Sequence, residues 1–220
     1  MKNLILLLLL PIFSFSQIVN NFPWVHDFET SVELEQDTND FGNWLLQQGP
    51  TSSVATGPAG DHTTGSGIYF YVESSGQNYG GKVFTIYTPT FDISQTPGKV
   101  LSFWYHMYGA AMGSLEIGIL DNTGYTALDT ISGNQGNQWN LAYYPITSTI
   151  PFKIKFKGIT GTSYTSDISI DDIMISDPYT VIYGCTDTVS SNYDSTATHD
   201  NGTCIYYYGC IDPKATNYNP

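Results

Sequence analysis

The strongest constraint on the fold is a series of short runs of alternating polarity, separated by Gly, Asn, Asp or Pro, from residue 22 to residue 176. In the run 152–157, three bulky apolar residues alternate with three lysines, which predicts a strand with one buried and one wet face. No stretch carries a long helical stripe with caps. The pattern therefore predicts an all-β protein, an antiparallel jelly-roll β-sandwich. The other predicted strands lie at residues 66–73, 82–87, 100–108, 115–120, 139–144 and 168–175.

The balance of charged residues indicates which classes of molecule this protein can bind. Seven lysines and no arginine stand against twenty acidic residues, and the formal net charge is −13. An acidic chain without arginine lacks the planar guanidinium groups that proteins use to bind phosphate. We therefore expect no nucleic-acid partner. A negative balance also suits calcium-containing surroundings, where carboxylates can be ligated.

The N-terminus predicts export. One lysine precedes a short apolar run, residues 4–13, which ends in small and polar residues. This is the pattern of a secretory signal peptide, assigned to residues 1–16. The run is too short for a membrane span, which needs roughly 20 apolar residues, and no later segment of the chain is long enough. We expect a secreted or cell-surface protein.

Four acidic residues far apart in sequence form the candidate site. Glu29 is expected in the opening strand, Asp61 lies in a glycine-rich loop, and Asp171 and Asp172 lie in the last strand. The first and last strands of a jelly roll often pair, so these carboxylates can meet. Converging carboxylates repel one another unless a proton or a cation compensates them, and calcium accepts six to eight oxygen ligands.

The pattern predicts one structural calcium or sodium ion held by Glu29, Asp61 and one or both of Asp171 and Asp172. The alternative is that these acids cap turns and accept backbone N–H bonds. Strict alternation would place Asp172 on the face of Ile168 and Ile170 and Asp171 on the opposite face, unless a bulge intervenes.

Seven segments occur in a fixed order along the chain: residues 27–29, Trp44, 56–63, 67–71, 101–109, 112–117 and 167–173. Taken together, these segments resemble the MAM domain, an extracellular adhesion module. The resemblance runs from about Trp24 to Ser176 and implies a jelly-roll sandwich that acts by protein–protein contact or self-association. The sequence departs from many animal members in having no cysteine in this region.

The C-terminal part is read as a repeat region, residues 183–220, that follows a sandwich domain assigned to residues 22–177. The motif Tyr-Gly-Cys at 183–185 returns at 208–210, and the unit resembles tandem Cys repeats of exported bacterial proteins. Cys185 and Cys204 are predicted to form a disulfide, which an exported chain permits. The second copy stops before its expected second cysteine, so Cys210 lacks a partner and the chain reads as a fragment of a longer protein.

Catalysis is not expected. There is no Gly-x-Ser-x-Gly nucleophile motif, and the four histidines show no metal-ligand spacing. The chain is therefore interpreted as a non-catalytic adhesion or recognition module whose partner is a protein or a glycan. The alternative is a carbohydrate-binding module, or an accessory domain of a larger secreted hydrolase, with a stacking platform for a sugar ring at Trp104, Tyr108 and Tyr143.

Overall fold

A computed structural model describes residues 18–30, 34–178, 183–197, 199–200 and 203–206. The chain divides into two compact units, Met1–Asp177 and Pro178–Pro220. The first unit is built from two antiparallel sheets, so the predicted all-β sandwich is confirmed. Among the described residues, no helix has the length and hydrophobicity needed to cross a bilayer. The predicted signal peptide lies outside the described residues.

The first sheet has six strands, in the order β3-β4-β11-β6-β9, and β1 pairs with β11 outside this path. Its central strand, β11, is hydrogen-bonded to neighbouring strands on both edges. The bounds are β1 (Trp24–His26), β3 (Leu45–Gln48), β4 (Ile68–Val72), β6 (Val100–Met107), β9 (Asn140–Pro145) and β11 (Ile168–Ser176).

The second sheet has five strands, in the order β2-β5-β10-β7-β8. Its central strand β10 alternates buried apolar residues with half-buried lysines along its length, as the sequence predicted. The bounds are β2 (Glu35–Gln36), β5 (Val83–Tyr87), β7 (Ser114–Asp121), β8 (Gly124–Ser132) and β10 (Phe152–Ile159).

The core lies between the two sheets and is rich in aromatic rings. Phe103 of β6 meets Phe156 of β10 edge to face, with ring centroids 4.9 Å apart, a favourable arrangement for aromatic pairs. Trp44 is buried against Phe70. Its indole N–H donates to the carbonyl of Phe84 at 3.0 Å, which ties the start of β3 to the opposite sheet.

Strand β11 changes partner part-way along one edge. β4 pairs with residues 168–170, whereas β1 pairs with residues 173–175. A β-bulge between Asp171 and Met174 lies where the partner changes. On the other edge, β6 follows β11 from Ile168 to Ser176. The bulge therefore opens a gap beside the most central strand of the sheet.

The loop 49–66 covers the outer face of this sheet. The Tyr69 hydroxyl donates to the carbonyl of Gly49 at 2.8 Å, and the Trp139 indole N–H donates to the carbonyl of Gly60 at 3.1 Å. Gly57 has a φ of +66°, and a Cβ there would stand 2.4 Å from the Thr51 side chain. The loop packs closely because this position carries no side chain.

The second unit contains the short parallel pair β12 (Tyr183–Gly184) and β13 (His199–Asp200). Cys185 and Cys204 form a disulfide whose Cα atoms are 4.9 Å apart, which confirms the predicted pairing. The second copy of the repeat, with Cys210, lies outside the described residues.

Removing an aromatic ring from the contact between the two sheets tests whether this core stabilises the fold. Phe156→Ala should lower the free energy of unfolding by about 3–5 kcal/mol, because it removes a buried ring and leaves a cavity against Phe103. Urea denaturation measures the change. Thr130→Ala, at an exposed position on β8, is the control and should cost less than about 1 kcal/mol. Equal losses in the two variants would contradict this account of the core.

Candidate metal centre

A pocket of about 210 Å³ opens at the gap beside β11 and is lined by carboxylates from three separate parts of the chain. All four predicted residues reach it, and a fifth acid joins them. The pocket therefore gathers residues more than 140 positions apart in sequence, because β1 pairs with the second half of β11. The five acids are Asp27, Glu29, Asp61, Asp171 and Asp172.

The backbone changes direction at Phe28, just after β1, and this places two acidic side chains at the pocket. Phe28 has a φ of +61°, an uncommon conformation for a bulky residue, and its ring stacks on Phe70 at 5.3 Å between centroids. Asp27 and Glu29, on either side of Phe28, both line the pocket. Glu29 was expected in the opening strand but lies beyond its end at His26. Its Oε1 accepts the amide N–H of Ile68 at 2.6 Å.

Asp61 is held by the turn that follows it. Its oxygens accept the amide N–H groups of Thr64 at 2.9 Å and Gly67 at 2.5 Å. Burial opposes ionisation of this carboxyl, but the hydrogen bonds from Thr64 and Gly67 outweigh it and lower the pKa of Asp61. Asp61 is therefore a buried carboxylate, nearly closed to solvent, that keeps its charge at neutral pH.

The bulge in β11 decides where Asp171 and Asp172 point. Asp172 has a φ of +48°, and Ile173 takes the core position that strict alternation would have given to Asp172. Both acids consequently line the pocket. Asp171 is 1% exposed. Burial raises the pKa of Asp171 to about 7, and the charges of Asp172 and Asp61 add to this, although amide N–H groups oppose it.

The histidine of the loop fastens this edge of the pocket. The amide N–H of His62 donates to Asp171 Oδ2 at 2.9 Å, and its Nδ1 lies 2.7 Å from Asp172 Oδ2. The His62 ring stacks on Trp104 with centroids 3.7 Å apart and planes 15° apart. One face of Trp104 is therefore occupied by the protein itself, so the sugar platform of Trp104, Tyr108 and Tyr143 is incomplete.

The carboxylates of Glu29 and Asp61 both lie against Gly67. A Cβ on this glycine would stand 2.2 Å from Glu29 Oε1 and 2.9 Å from Asp61 Oδ2. Only a residue without a side chain fits between these two groups. Oxygen-only donors of this kind suit a hard cation such as calcium, so the residues present fit the expected ion.

The contacts also agree with the alternative interpretation, that these acids cap turns, because several of them accept backbone N–H bonds. Within the described ranges, no three acidic, histidine or cysteine side chains stand in a ready coordination shell. The carboxylates surround a cavity instead, and each ionised oxygen has lone pairs beyond the one that an N–H uses.

Sequence reasoning missed Asp27. It lies two residues before Glu29, so period-two alternation alone would have placed both on one face. Its Oδ1 accepts the amide N–H of Glu29 at 3.1 Å, which fixes their mutual orientation. No sequence signal pointed to the Phe28 reversal, because φ above zero is ordinarily a property of Gly, Asn or Asp.

The comparison with known families agrees with this geometry. The family model described as "MAM domain, meprin/A5/mu" matches residues 26–179, which includes every acid of the pocket. The chain belongs to the MAM domain family. The resemblance noted from the sequence is therefore confirmed for this part of the chain.

Relatives carry this MAM domain inside much longer proteins. The MAM domain-containing glycosylphosphatidylinositol anchor protein 1 of Gallus gallus is 38% identical over 149 residues, covering 64% of this chain and 16% of that protein. Thyroid hormone-induced protein B of Xenopus laevis is 39% identical over 145 residues, covering 64% of this chain and 21% of that protein. The chain thus spans about a fifth or less of these relatives.

Among solved structures, the K1 cleaved adhesin domain of Lys-gingipain from Porphyromonas gingivalis W83 has a similar fold. The TM-score is 0.52 at 18% identity, covering 72% of this chain and 100% of that domain. At this identity the likeness concerns the sandwich architecture alone.

Calcium should stabilise this MAM domain. At ten times the dissociation constant, an ion that binds only the folded state adds about 1.4 kcal/mol, which raises the melting temperature of chelator-treated protein. Glu29→Gln should remove most of the shift, since the amide oxygen still accepts the Ile68 N–H but the charge is gone. Glu116→Gln, on the second sheet, is the matched control. Identical melting curves with calcium and with chelator would leave only turn capping.

A second buried carboxylate, outside this pocket, lies under the loop 49–66. Asp167 is 0% exposed, and its Oδ1 accepts the N–H and the hydroxyl of Ser74 at 3.0 and 2.9 Å. Its amide N–H donates to the Thr56 hydroxyl at 2.9 Å. Burial raises the pKa of Asp167 to about 6, helped by the charge of Glu73 and opposed by the bonds from Ser74.

The raised pKa gives the stability a definite pH dependence. The folded state holds the Asp167 proton more tightly than the unfolded chain, so this group lowers stability as pH rises from about 4 to about 6. Asp167→Asn should therefore raise the free energy of unfolding at pH 8 by about 1–3 kcal/mol and leave it nearly unchanged at pH 4. Urea denaturation in chelator measures both. Asp92→Asn, at a partly exposed site, is the control; the same pH-dependent gain there would refute the assignment.

Proposed function

We propose that this protein is a secreted or cell-surface, non-catalytic adhesion or recognition module. The observation that carries the proposal is the MAM family match over residues 26–179, together with relatives such as the Gallus gallus anchor protein. Its partner is a protein or a glycan at the cell surface, self-association included. Contact is made by exposed loops and by a sheet face, both held by the rigid sandwich.

The pocket serves this role by fixing one edge of the scaffold. In the proposal, a calcium or sodium ion is held by Glu29, Asp61, Asp171 and Asp172, with Asp27 as a further ligand. The ion supplies the positive charge that the gathered carboxylates lack. His62 holds the loop against β11, and Glu29 holds the segment after β1 against Ile68.

The burial of His106 supports a structural rather than a catalytic role for this histidine. His106 is 2% exposed, and its cross-strand neighbour Ser169 is 0% exposed. Burial lowers the pKa of His106 to about 4, although a bond to Asn137 opposes this. A neutral imidazole and a hydroxyl that are both buried suit packing and hydrogen bonding within the sheet.

The C-terminal unit is proposed to be an extracellular spacer of the kind found as tandem Cys repeats in exported bacterial proteins. The support is its Tyr-Gly-Cys motif at 183–185, which returns at 208–210, and the disulfide Cys185–Cys204. A unit this small needs a crosslink to stay folded.

Bead clustering tests the adhesive role. Beads of two colours that carry the full chain should form mixed clusters in calcium, or should bind cell surfaces, because adhesion needs only exposed surface and no substrate turnover. Beads that carry the Phe156→Ala variant serve as a control, with the scaffold destabilised. Beads that neither cluster nor bind cells, while the protein is folded and calcium-loaded, would contradict an adhesive function.

A further inference from the structure

The outer face of the second sheet gathers the lysines of this acidic chain. Three of the five lysines within the described residues lie on β10: Lys153, Lys155 and Lys157. The chain as a whole has a net charge of −13. A local concentration of ammonium groups on such a chain is a candidate surface for an acidic ligand.

Lys155 differs from its neighbours in its contacts. Lys153 forms an ion pair with Glu35, and Lys157 Nζ lies 3.0 Å from Glu116 Oε2. Lys155 has no carboxylate within ion-pair distance among the described residues. Its Nζ lies instead 5.9 Å from the centroid of the Tyr87 ring and 5.2 Å from that of Tyr125. These distances are those of cation–π contacts.

The three side chains form a line across the sheet, here called the tyrosine–lysine ledge (Tyr87, Lys155 and Tyr125). Lys155 is in register with Tyr87 on one side and with Gly118 on the other. A Cβ on Gly118 would stand 2.4 Å from Cε2 of Tyr125. The Tyr125 ring therefore lies over the glycine, where any larger residue would displace it.

The ledge is accessible. Tyr125 is 42% exposed, and Tyr87 and Lys155 are partly exposed. The hydroxyl of Tyr87 donates to Asp37 Oδ2 at 2.9 Å, which fixes the ring at the β5 end. The result is a preorganised row of aromatic surface with one ammonium group at its centre.

We propose that this ledge binds an acidic sugar, a uronate residue of a cell-surface or extracellular polysaccharide. The inference rests on the proposed recognition role and names the ligand class for it. The sugar carboxylate would bind Lys155, and the C–H face of the ring would lie on Tyr125. Sugar hydroxyls would bond to the flanking Lys153–Glu35 and Lys157–Glu116 pairs, which offer both donors and acceptors on each side.

The surface fits a sugar better than an acidic protein. The energetically dominant residues of protein interfaces lie in well-packed, fully desolvated pockets, whereas Tyr125 and Lys155 lie on an open sheet face between two ion pairs. Rows of polar pairs beside an aromatic ring instead match a flat ligand rich in hydroxyls. The charge of Lys155 selects the acidic form.

Calorimetric titration of the full chain tests the proposal. The ligand is a short oligogalacturonate, and its methyl-esterified form, which lacks only the charge, is the ligand control. Chelator is present throughout, so that calcium cannot bridge sugar and protein. We expect saturable binding of the acidic form, and binding at least about tenfold weaker for the ester, since a charged hydrogen bond is lost.

Two variants locate the site. Lys155→Met keeps the apolar stem and should weaken binding of oligogalacturonate about tenfold to a hundredfold, and Tyr125→Ala should weaken binding of both ligands. Lys82→Met removes the same charge just before the first residue of β5, at the opposite end of that strand from Tyr87, and should leave the affinity within about twofold. NMR amide shifts on titration should centre on the ledge residues.

Three results would overturn the proposal. The first is no saturable binding of oligogalacturonate, and the second is unchanged affinity in both the Lys155→Met and the Tyr125→Ala variants. The third is binding of polyglutamate as tight as that of oligogalacturonate, which would point to an acidic protein instead. None of these results bears on bead clustering, so the failure of this inference is distinguishable from the failure of the adhesive role.

Discussion

The structure depends on gathering like charges where the central strand changes neighbours. β11 is paired with β4 along its first residues and with β1 along its last, and a bulge is the device that sheets use to absorb such a change. The same bulge turns Asp171 and Asp172 toward acids from the N-terminal segment and from the loop. Electrostatic repulsion is the cost of this arrangement, and amide donors offset part of it.

The loop that covers the first sheet also contributes to this pocket, through Asp61 and His62. It is attached at its first residue, Gly49, through Tyr69, at Gly60 through Trp139, and at the pocket through His62. Beneath it lie buried polar side chains, among them His106, Asp167 and Ser169. Because a buried polar group is costly without partners, hydrogen bonds hold the loop in one position together with the packing of His62 on Trp104.

Strands with one buried and one exposed face could be predicted from the sequence, whereas exposed strands could not. β10 was predicted because its two faces meet different environments and its alternation is strict. β8 was missed because it is an exposed edge strand with a register shift opposite Ile117 and Gly118, so neither of its faces imposes a pattern. The candidate pocket was predicted as a convergence of four acids, because carboxylates among branched apolar residues are conspicuous. Asp27 lacked that context.

Other features of the structure depend on backbone conformations and strand neighbours that the residue types do not indicate. The φ values above zero at Phe28 and Asp172 are imposed by tertiary contacts against local preference, so they are invisible in a single sequence. The tyrosine–lysine ledge depends on Gly118 lying beneath Tyr125, a cross-strand relation that needs the register of β7 and β8. Sequence spacing gives the faces of a strand but not which strands adjoin.

The pairing of β1 with β11 has a consequence for how the polypeptide reaches its native state. Contacts between segments about 150 positions apart raise the contact order, and chains with high contact order fold slowly. The sheet cannot acquire its central strand until nearly the whole domain has been synthesised. A chain with this topology therefore completes its first sheet only after residues 168–176 have been made.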